Sequence, residues 1–393
     1  MKTVLSFLLS SRHFPDFVTL SLIGLLQTAF VLIMLRGPVR RAGRRVRTAW
    51  ITGWAASLVI LALGFFLRFN EVSEYFPLWF AGWGRGVILL WGFCSVLMMG
   101  AYGVSRLLPR SKPEYSPARR KFLGAVRVAV FGIPVAAVGY GTFVQRFHLN
   151  LREQTIEIPD LPMDLHGLRI AQLTDIHLSP YLSVRELERA VAMANETRPN
   201  LTFVTGDLIT TANDPLDSCL NALALLKADA GVYGCMGNHE IYADSEEYTK
   251  VEGARRGMHF LRQESALLPF GSANLNLVGV DYQTMHKRYL RGAEKMVVPG
   301  AFNLLMSHNP DVFPVAERQG YQFVVSGHTH GGQVRVEILH QDLNIARFFT
   351  PYVDGMYRKG AASIFVSRGI GTIAIPTRLG APPEVALLKL CRV

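Results

Sequence analysis

Acidic residues are nearly missing from the first third of this chain: residues 1–150 hold 4 Asp+Glu against 18 Lys+Arg, a net charge of +14. The rest carries 26 acids against 23 bases, so the overall formal charge of +11 belongs to the N-terminal third alone. That basic third fits loops facing anionic lipid, and the mildly acidic remainder repels a phosphate backbone, so no nucleic acid partner is expected. Cysteine is scarce. Cys94, Cys219, Cys235 and Cys391 follow no C-x-x-C spacing, which argues against a disulfide framework and leaves only a Cys219–Cys235 bridge open. Internal repeats and low-complexity tracts are absent. So are Gly-x-Ser-x-Gly, a P-loop and His-Glu-x-x-His, which removes three large classes of hydrolase chemistry.

What the chain has in excess is apolar residues, at 50% of 393 positions with a mean hydropathy of +0.22. Part of that mass is expected in lipid. Phe17 to Leu35 is uncharged and at helical rise covers about 28 Å, close to the hydrocarbon thickness. Similar runs cover residues 49–67, opened by Trp50 and Trp54, then 86–104 behind Trp79 and Trp83, and 128–144. The last is the shortest and contains Pro134, so a buried helix of a globular domain is its alternative. A transmembrane region over residues 1–147 with about four spans is expected, followed by a globular domain over 148–393. The first connection holds Arg36, Arg40, Arg41, Arg44, Arg45 and Arg47, and the third holds Arg106, Arg110, Lys112, Arg119, Arg120 and Lys121. The second offsets Arg68 with Glu71 and Glu74. The positive-inside rule puts the first and third connections in the cytoplasm. The expected location is then a multi-pass protein of the cytoplasmic (inner) membrane with its large domain outside the cytoplasm. Arg119-Arg120-Lys121 ahead of an apolar run is also similar to a twin-arginine export signal, with an ordinary basic flank as the alternative.

From His148 the pattern turns to strands and helices in alternation. Leu149 to Ile158, Leu168 to Leu173, Leu201 to Val204, Gly231 to Tyr233, Leu275 to Val280 and Phe302 to Met306 read as strands, with helices from Val184 and from Leu216 to Leu226 between them. The fold class is α/β, with a β-rich tail over 333–390.

Five polar clusters each follow a predicted strand end: Asp175/His177, Asp207, Asn238/His239, His308 and His328/His330. In layered α/β folds that edge is where sites are built. The last cluster lies in Val324-Val325-Ser326-Gly327-His328-Thr329-His330-Gly331, a buried strand end followed by a glycine-bounded turn. Two carboxylates, an amide and at least four imidazoles form a mixed N/O set suited to Zn, Mn or Fe. It is large enough for two ions about 3.5 to 4 Å apart, which lower the pKa of a shared water and neutralise a phosphoryl group's charge. A leftover histidine can protonate a departing alkoxide. His286 with Lys287 and Arg288, and separately Arg368, are weaker candidates for phosphate contact. His148, His166, His259 and His340 read as surface residues.

Asp175-Ile-His177, Gly206-Asp207, Gly237-Asn238-His239-Glu240, Ser307-His308 and Gly327-His328-Thr-His330 stand in the order and form of the calcineurin-like metallophosphoesterase superfamily, which residues 150 to 390 resemble. The variants look most like its membrane-attached bacterial phosphodiesterase branch, and vertebrate transmembrane proteins with a metallophosphoesterase domain are similar. The resemblance implies a four-layer α/β/β/α sandwich preceded by an all-α transmembrane region. It implies Asp175, His177 and His330 on one metal, Asp207 as the bridge, and Asn238, His308 and His328 on the second, with His239 as proton donor. Many members place another acid soon after Gly206-Asp207; here stand Ile209-Thr210-Thr211. The expected function is dinuclear, metal-dependent hydrolysis of a phosphodiester, pyrophosphate or phosphomonoester, with lipid-linked or envelope esters as candidate substrates and membrane lipids as neighbours. Two alternatives are a metal-containing binding or sensing protein, and a transport or signalling module with an accessory domain. None of the four spans as drawn contains an acid or base, which weighs against an ion path.

Overall fold

Segments that are apolar on every face form the long helices of the first unit, in a computed structural model that describes residues 14–66, 75–109, 115–284, 289–338 and 341–393. The chain divides into two compact units, Met1–Tyr140 with Ala374–Pro376, and Gly141–Ile373 with Thr377–Val393.

The first unit contains α1 (Phe14–Arg36), α2 (Arg44–Phe66), α3 (Leu78–Leu107) and all but the last three residues of α4 (Pro117–Phe143). All four are long and apolar enough to cross a membrane. Large apolar side chains point outward, as with Leu25, Ile33, Val59 and Val128, and among the described residues Leu20, Leu61 and Ile88 make a small buried cluster. Such a surface suits hydrocarbon rather than water. Side-chain hydrogen bonds tie α1, α2 and α3 together: Gln27 donates to Ser95 at 2.8 Å, Ser57 donates to Gln27 at 2.8 Å, and Trp91 donates to Ser57 at 2.9 Å. The fourth apolar run was expected from residue 128, but its helix starts at Pro117, a residue pre-set for a first helical position. Ser116 caps it by accepting from the Arg119 N–H at 3.3 Å, so Arg119-Arg120-Lys121 is helix rather than loop. With Phe122, Val128 and Ile133 exposed, α4 is not a buried helix within its unit.

The second unit is built on two six-stranded sheets. The first contains β1 (Asn150–Ile158), β2 (Arg169–Leu173), β3 (Leu201–Thr205), β4 (Val232–Cys235), β5 (Met258–Phe260) and β14 (Glu384–Arg392), in the order β1-β14-β2-β3-β4-β5. The second contains β6 (Glu264–Phe270), β7 (Ala273–Gly279), β8 (Phe302–Met306), β9 (Phe323–Ser326), β12 (Gly355–Lys359) and β13 (Ala362–Val366), in the order β12-β13-β9-β8-β7-β6. Between them in sequence, β10 (Arg335–Ile338) and β11 (Gln341–Asn344) pair as a separate hairpin. Strands β2, β3 and β4 run parallel, as do β7, β8 and β9, so their carboxyl ends share an edge in each sheet.

Period-two alternation assigns each strand residue to a layer. Ile170, Phe203 and Leu388 of the first sheet meet Leu304, Phe323, Val325 and Phe365 of the second in one intersheet core. The outer face of the first sheet, with Ala171, Leu173 and Val204, is covered by α5 (Val184–Glu196) and α6 (Leu216–Leu223) through Leu187, Val191, Leu220 and Leu223. Ser183 and Glu186 form a capping box that fixes the start of α5. Val278, Leu305 and Val324 on the far side are covered by Val312 and by Phe313 and Ala316 of a helix over Phe313–Gln319. The result is the expected α/β/β/α sandwich. Cys219 belongs to the helical layer and Cys235 to the intersheet core; all four cysteines are free, so the bridge left open by the sequence does not form.

Phe203 is fully buried at the centre of the intersheet core. Phe203→Ala is expected to cost about 3–5 kcal/mol and to lower the unfolding midpoint by on the order of 10 °C. A thermal scan of purified protein showing no shift would contradict this packing.

Candidate metal centre

The polar clusters sit where the shared strand edges of the two sheets meet. Asp175 and His177 follow β2, Asp207 follows β3, Asn238 and His239 follow β4, His308 follows β8, and His328 and His330 follow β9. Hydrogen bonds join the two edges: Gln172 donates to the Ser326 carbonyl at 3.0 Å, and the His308 Nδ1 lies 2.7 Å from the Thr205 carbonyl. Gly206 and Gly237 allow the two loops of the first sheet to touch. A Cβ on Gly206 (φ +85) would strike the Gly237 backbone, and one on Gly237 would strike the Asp207 carboxylate.

Five of the twelve non-glycine residues with positive φ are Asp175, His177, Asp207, His328 and His330. Each such conformation costs on the order of 1 kcal/mol or more, so its concentration here marks a site held by its surroundings. The Asp175 N–H donates to Gly206, its carbonyl accepts from Gly371, and its carboxylate accepts from the His328 N–H at 3.0 Å and from Thr174 at 2.9 Å. The His177 N–H donates to the Asp207 carbonyl at 3.0 Å.

The side chains converge into three groups able to hold a cation: Asp175 with His177 and His330, Asp207 with His308 and His328, and His177 with Asp207 and His239. Oδ2 of Asp207 lies 3.0 Å from Nε2 of His308 and 3.5 Å from Nε2 of His177, so a single oxygen faces members of two groups. Oδ1 of Asp175 lies 3.4 Å from Nε2 of His330 and 3.8 Å from Nε2 of His308. The Nε2 atoms of His177 and His330 face each other at 3.1 Å. All these side chains are buried except that of His328, which is partly exposed.

Two observations test whether the set fits metal ions. The Oδ1 atom of Asn238 and Nε2 of His308 are buried without a hydrogen-bond partner, the latter despite its nearness to Asp207. Buried polar atoms of that kind call for a ligand. Three of the four imidazoles, those of His177, His328 and His330, are also held neutral, the state ligation requires. Burial, reinforced by His239, lowers the His177 pKa to about 3. Burial, reinforced by His308, brings His328 to about 3, and burial with His177 and Arg378 holds His330 well below the usual range. Burial, with the Asp207 charge beside it, raises Asp175 to about 6. Asp207 moves the other way, because His308 and His239 outweigh its burial and keep it ionised. Burial alone would lower the His308 pKa, yet the Asp207 and Asp175 carboxylates raise it to about 10. The centre thus attracts positive charge, and the donor set fits divalent cations.

All seven expected ligands and His239 come to this one edge. Three further residues organise it without having been assigned a role from the sequence. Glu240, fully buried, accepts from the N–H groups of Gly237 (2.7 Å), Asp207 (2.9 Å) and Leu208 (2.7 Å), clamping two ligand loops with one carboxylate. Thr210 lies where an acid was looked for; its carbonyl is 2.7 Å from Nδ1 of His239 and its hydroxyl 3.2 Å from Nδ1 of His177. The acid arrives later, at Asp214, which accepts from the Thr210 and Thr211 N–H groups. Arg378, fully buried, donates to the carbonyls of Gly371, Ala381 and Arg368 and lies 3.2 Å from Nδ1 of His330. The available signal was an arginine in the acid-free stretch from Gly369 to Pro383.

The weaker candidates separate from the site. Arg368 pairs with Asp354 at 2.8 Å in a cluster with Arg152, Arg335 and Glu384, which gives it a structural partner. His286, Lys287, Arg288 and His340 lie outside the described residues. His148, His166 and His259 are exposed. Beside His328 is a cleft of about 410 Å³ lined by Tyr242, Tyr282, Tyr289, Asn309, Asp311 and Phe349.

Removing the Glu240 carboxylate leaves three buried N–H groups unpaired, at about 1–3 kcal/mol each. Glu240→Ala is therefore expected to lower the unfolding midpoint and the bound metal per chain together, with Glu240→Gln intermediate; a variant with wild-type values of both would show that the clamp is dispensable.

Residues 168–332 match the family model described as calcineurin-like phosphoesterase. The chain is 29% identical over 344 residues to a zebrafish (Danio rerio) transmembrane protein with metallophosphoesterase domain, covering 83% of this chain and 76% of that one. It is 26% identical over 279 residues to the uncharacterised metallophosphoesterase YkuE of Bacillus subtilis, covering 70% of this chain and 97% of that one. An uncharacterised metallophosphoesterase of Helicobacter pylori is 27% identical over 344 residues, covering 84% of this chain and 89% of that one. With the metal-capable groups at its strand edges, residues 168–332 carry the calcineurin-like phosphoesterase domain that the family model describes, and the chain is similar to proteins named as metallophosphoesterases.

Proposed function

We propose that this chain is a membrane-anchored, dinuclear metal-dependent phosphoesterase, with four spans up to residue 147 and a hydrolase over 148–393. The observation that carries it is Oδ2 of Asp207, placed between the imidazoles of His177 and His308 at 3.5 and 3.0 Å. Asp175, His177 and His330 would hold one ion, Asn238, His308 and His328 the other, and Asp207 both. Bound there, two divalent ions of the Mn, Zn or Fe type supply an activated water and offset charge on the phosphoryl group. His239 directs Nδ1 to the Thr210 carbonyl, which leaves Nε2 as the nitrogen able to pass a proton to the departing oxygen. Its ring is held edge-on against His177 at 4.7 Å and against Tyr242 at 5.3 Å.

The cleft beside His328 supports an organic group beyond the phosphorus, since three tyrosines and Phe349 offer flat apolar faces while Asn309 and Asp311 offer hydrogen bonds. A phosphodiester or pyrophosphate uses that space better than a free phosphate. Phe349, which lines the cleft, and its neighbour Phe348 are 80% and 86% exposed, an apolar surface that favours a lipid-linked or envelope-derived ester. The positive-inside rule, applied to the arginines of the first and third connections, places the hydrolase outside the cytoplasm.

Asp207→Asn or His239→Ala is expected to lower hydrolysis of bis-p-nitrophenyl phosphate at least about 100-fold while the unfolding midpoint stays within a few degrees. Wild-type rates in both variants would refute the assigned roles. Chelation is expected to stop turnover and Mn to restore it; equal rates with and without metal would favour a metal-shaped binding protein. An alkaline phosphatase fused after Val393 is expected to be active, and a fluorescent cytoplasmic-type reporter at that position would reverse the orientation.

A further inference from the structure

The first unit contains a cavity for which the hydrolase chemistry has no use. It measures about 820 Å³, within the ~300–1,000 Å³ range of ligand pockets. Phe30, Met34, Trp50, Trp54, Met98 and Tyr102 wall it, and among the described residues no charged side chain lines it. At its inner end are Gln27, Ser57 and Ser95, but these already bond to one another and to Trp91, so they place little polar demand on an occupant. From Met34 to Gln27 along α1 the wall runs about 10 Å, or roughly two-thirds of one leaflet of a ~30 Å hydrocarbon core.

What lies at the other end decides the occupant. Met34 and Val46 are within two residues of Arg36, Arg44, Arg45 and Arg47, and the same connection holds Arg40 and Arg41. All six arginines are exposed, and no Asp or Glu occurs between Phe17 and Phe66 to neutralise them. Tyr102, which packs edge-on against Phe30 at 5.3 Å, brings Arg106 of α3 toward the same end. An apolar slot about two-thirds of a leaflet deep, beside a dense cationic connection, matches part of an acyl chain below an anionic headgroup.

We propose that this cavity seats an acyl chain of an anionic phospholipid whose phosphate is held by the arginines of the α1–α2 connection. The proposal rests on α1 to α4 being membrane spans, which an alkaline carbonate wash tests separately. Release of the chain from membranes overturns both statements, whereas retention leaves the lipid site to be judged on labelling alone.

Gly53 lines the cavity, and a Cβ built on it meets nothing within 4 Å, so Gly53→Phe adds a bulky ring at the cavity wall with no clash at its Cβ. Gly103 is equally open but lies off the cavity, and Gly103→Phe is the control. The full chain is placed in lipid nanodiscs with diazirine-bearing phosphatidylglycerol or phosphatidylcholine, irradiated, and mapped by peptide mass spectrometry. The phosphatidylglycerol probe is expected to label peptides carrying Trp50 or Met98 several-fold more than the phosphatidylcholine probe does. Gly53→Phe should cut that labelling about fivefold, and Gly103→Phe should leave it within twofold. A combined Arg44→Gln, Arg45→Gln, Arg47→Gln variant, which leaves the slot intact, should lose the headgroup preference, and it decides the matter should Gly53→Phe fail to accumulate. Equal labelling by both probes in the wild type, undiminished labelling of a folded Gly53→Phe protein, or an unchanged preference in the arginine variant would overturn the site.

Discussion

A carboxylate cannot sit in a dry interior unless something answers its charge, and the fold of the second unit is arranged around answering that of Asp207. In the protein alone the answer is a protonated His308 at 3.0 Å and the His239 N–H at 2.9 Å. The residual misfit is visible in the buried Oδ1 of Asn238, which finds no hydrogen bond. A divalent cation held there would supply positive charge without a proton and give the unpaired atom a partner. Stability and chemistry are thus coupled through one small volume, as in other sites where binding a metal completes the folded state.

That volume exists because of where the strands end. Parallel order in both sheets turns five loops toward the same edge, and the intersheet core behind them fixes their spacing. The loops then carry left-handed conformations at Asp175, His177, Asp207, His328 and His330, which isolated turns of these sequences would not hold. Glu240, Thr210 and Arg378 supply the hydrogen bonds that keep them. The candidate metal-holding side chains thus rest on three neighbours that were given no role from the sequence.

Much of this was legible in the sequence, and the limits of that legibility are physical. The ligand loops were readable because each follows a short β-branched run and because histidine and aspartate have little reason to cluster at strand ends otherwise. The four apolar helices were readable from length and charge alone. The start of α4 was missed because Arg119, Arg120 and Lys121 look like a loop, although they occupy its first turn. The helix over Glu246–Arg255 buries only Thr249 and Gly253, so it has no apolar stripe to find. The edge strand β6 alternates only weakly and contains Pro269. Glu240 stood in a quoted motif without a role, since a clamp on three backbone N–H groups from two loops is a tertiary fact. The same holds for Arg378, whose partners are carbonyls spread over the chain from 368 to 381.

Strand β14 was hidden for a related reason, because nothing local says that Glu384–Arg392 inserts between β1 and β2, parallel to one and antiparallel to the other. Its position has a temporal meaning. The strand that feeds Asp175 and His177 into the centre lacks one of its two neighbours until residues 384–392 have been synthesised. The nascent domain therefore passes through a stage in which all seven candidate ligands exist but strand β2 lacks a neighbour on one side. Competence arrives late and all at once, and a chain interrupted anywhere before this last strand carries the motif without the machine.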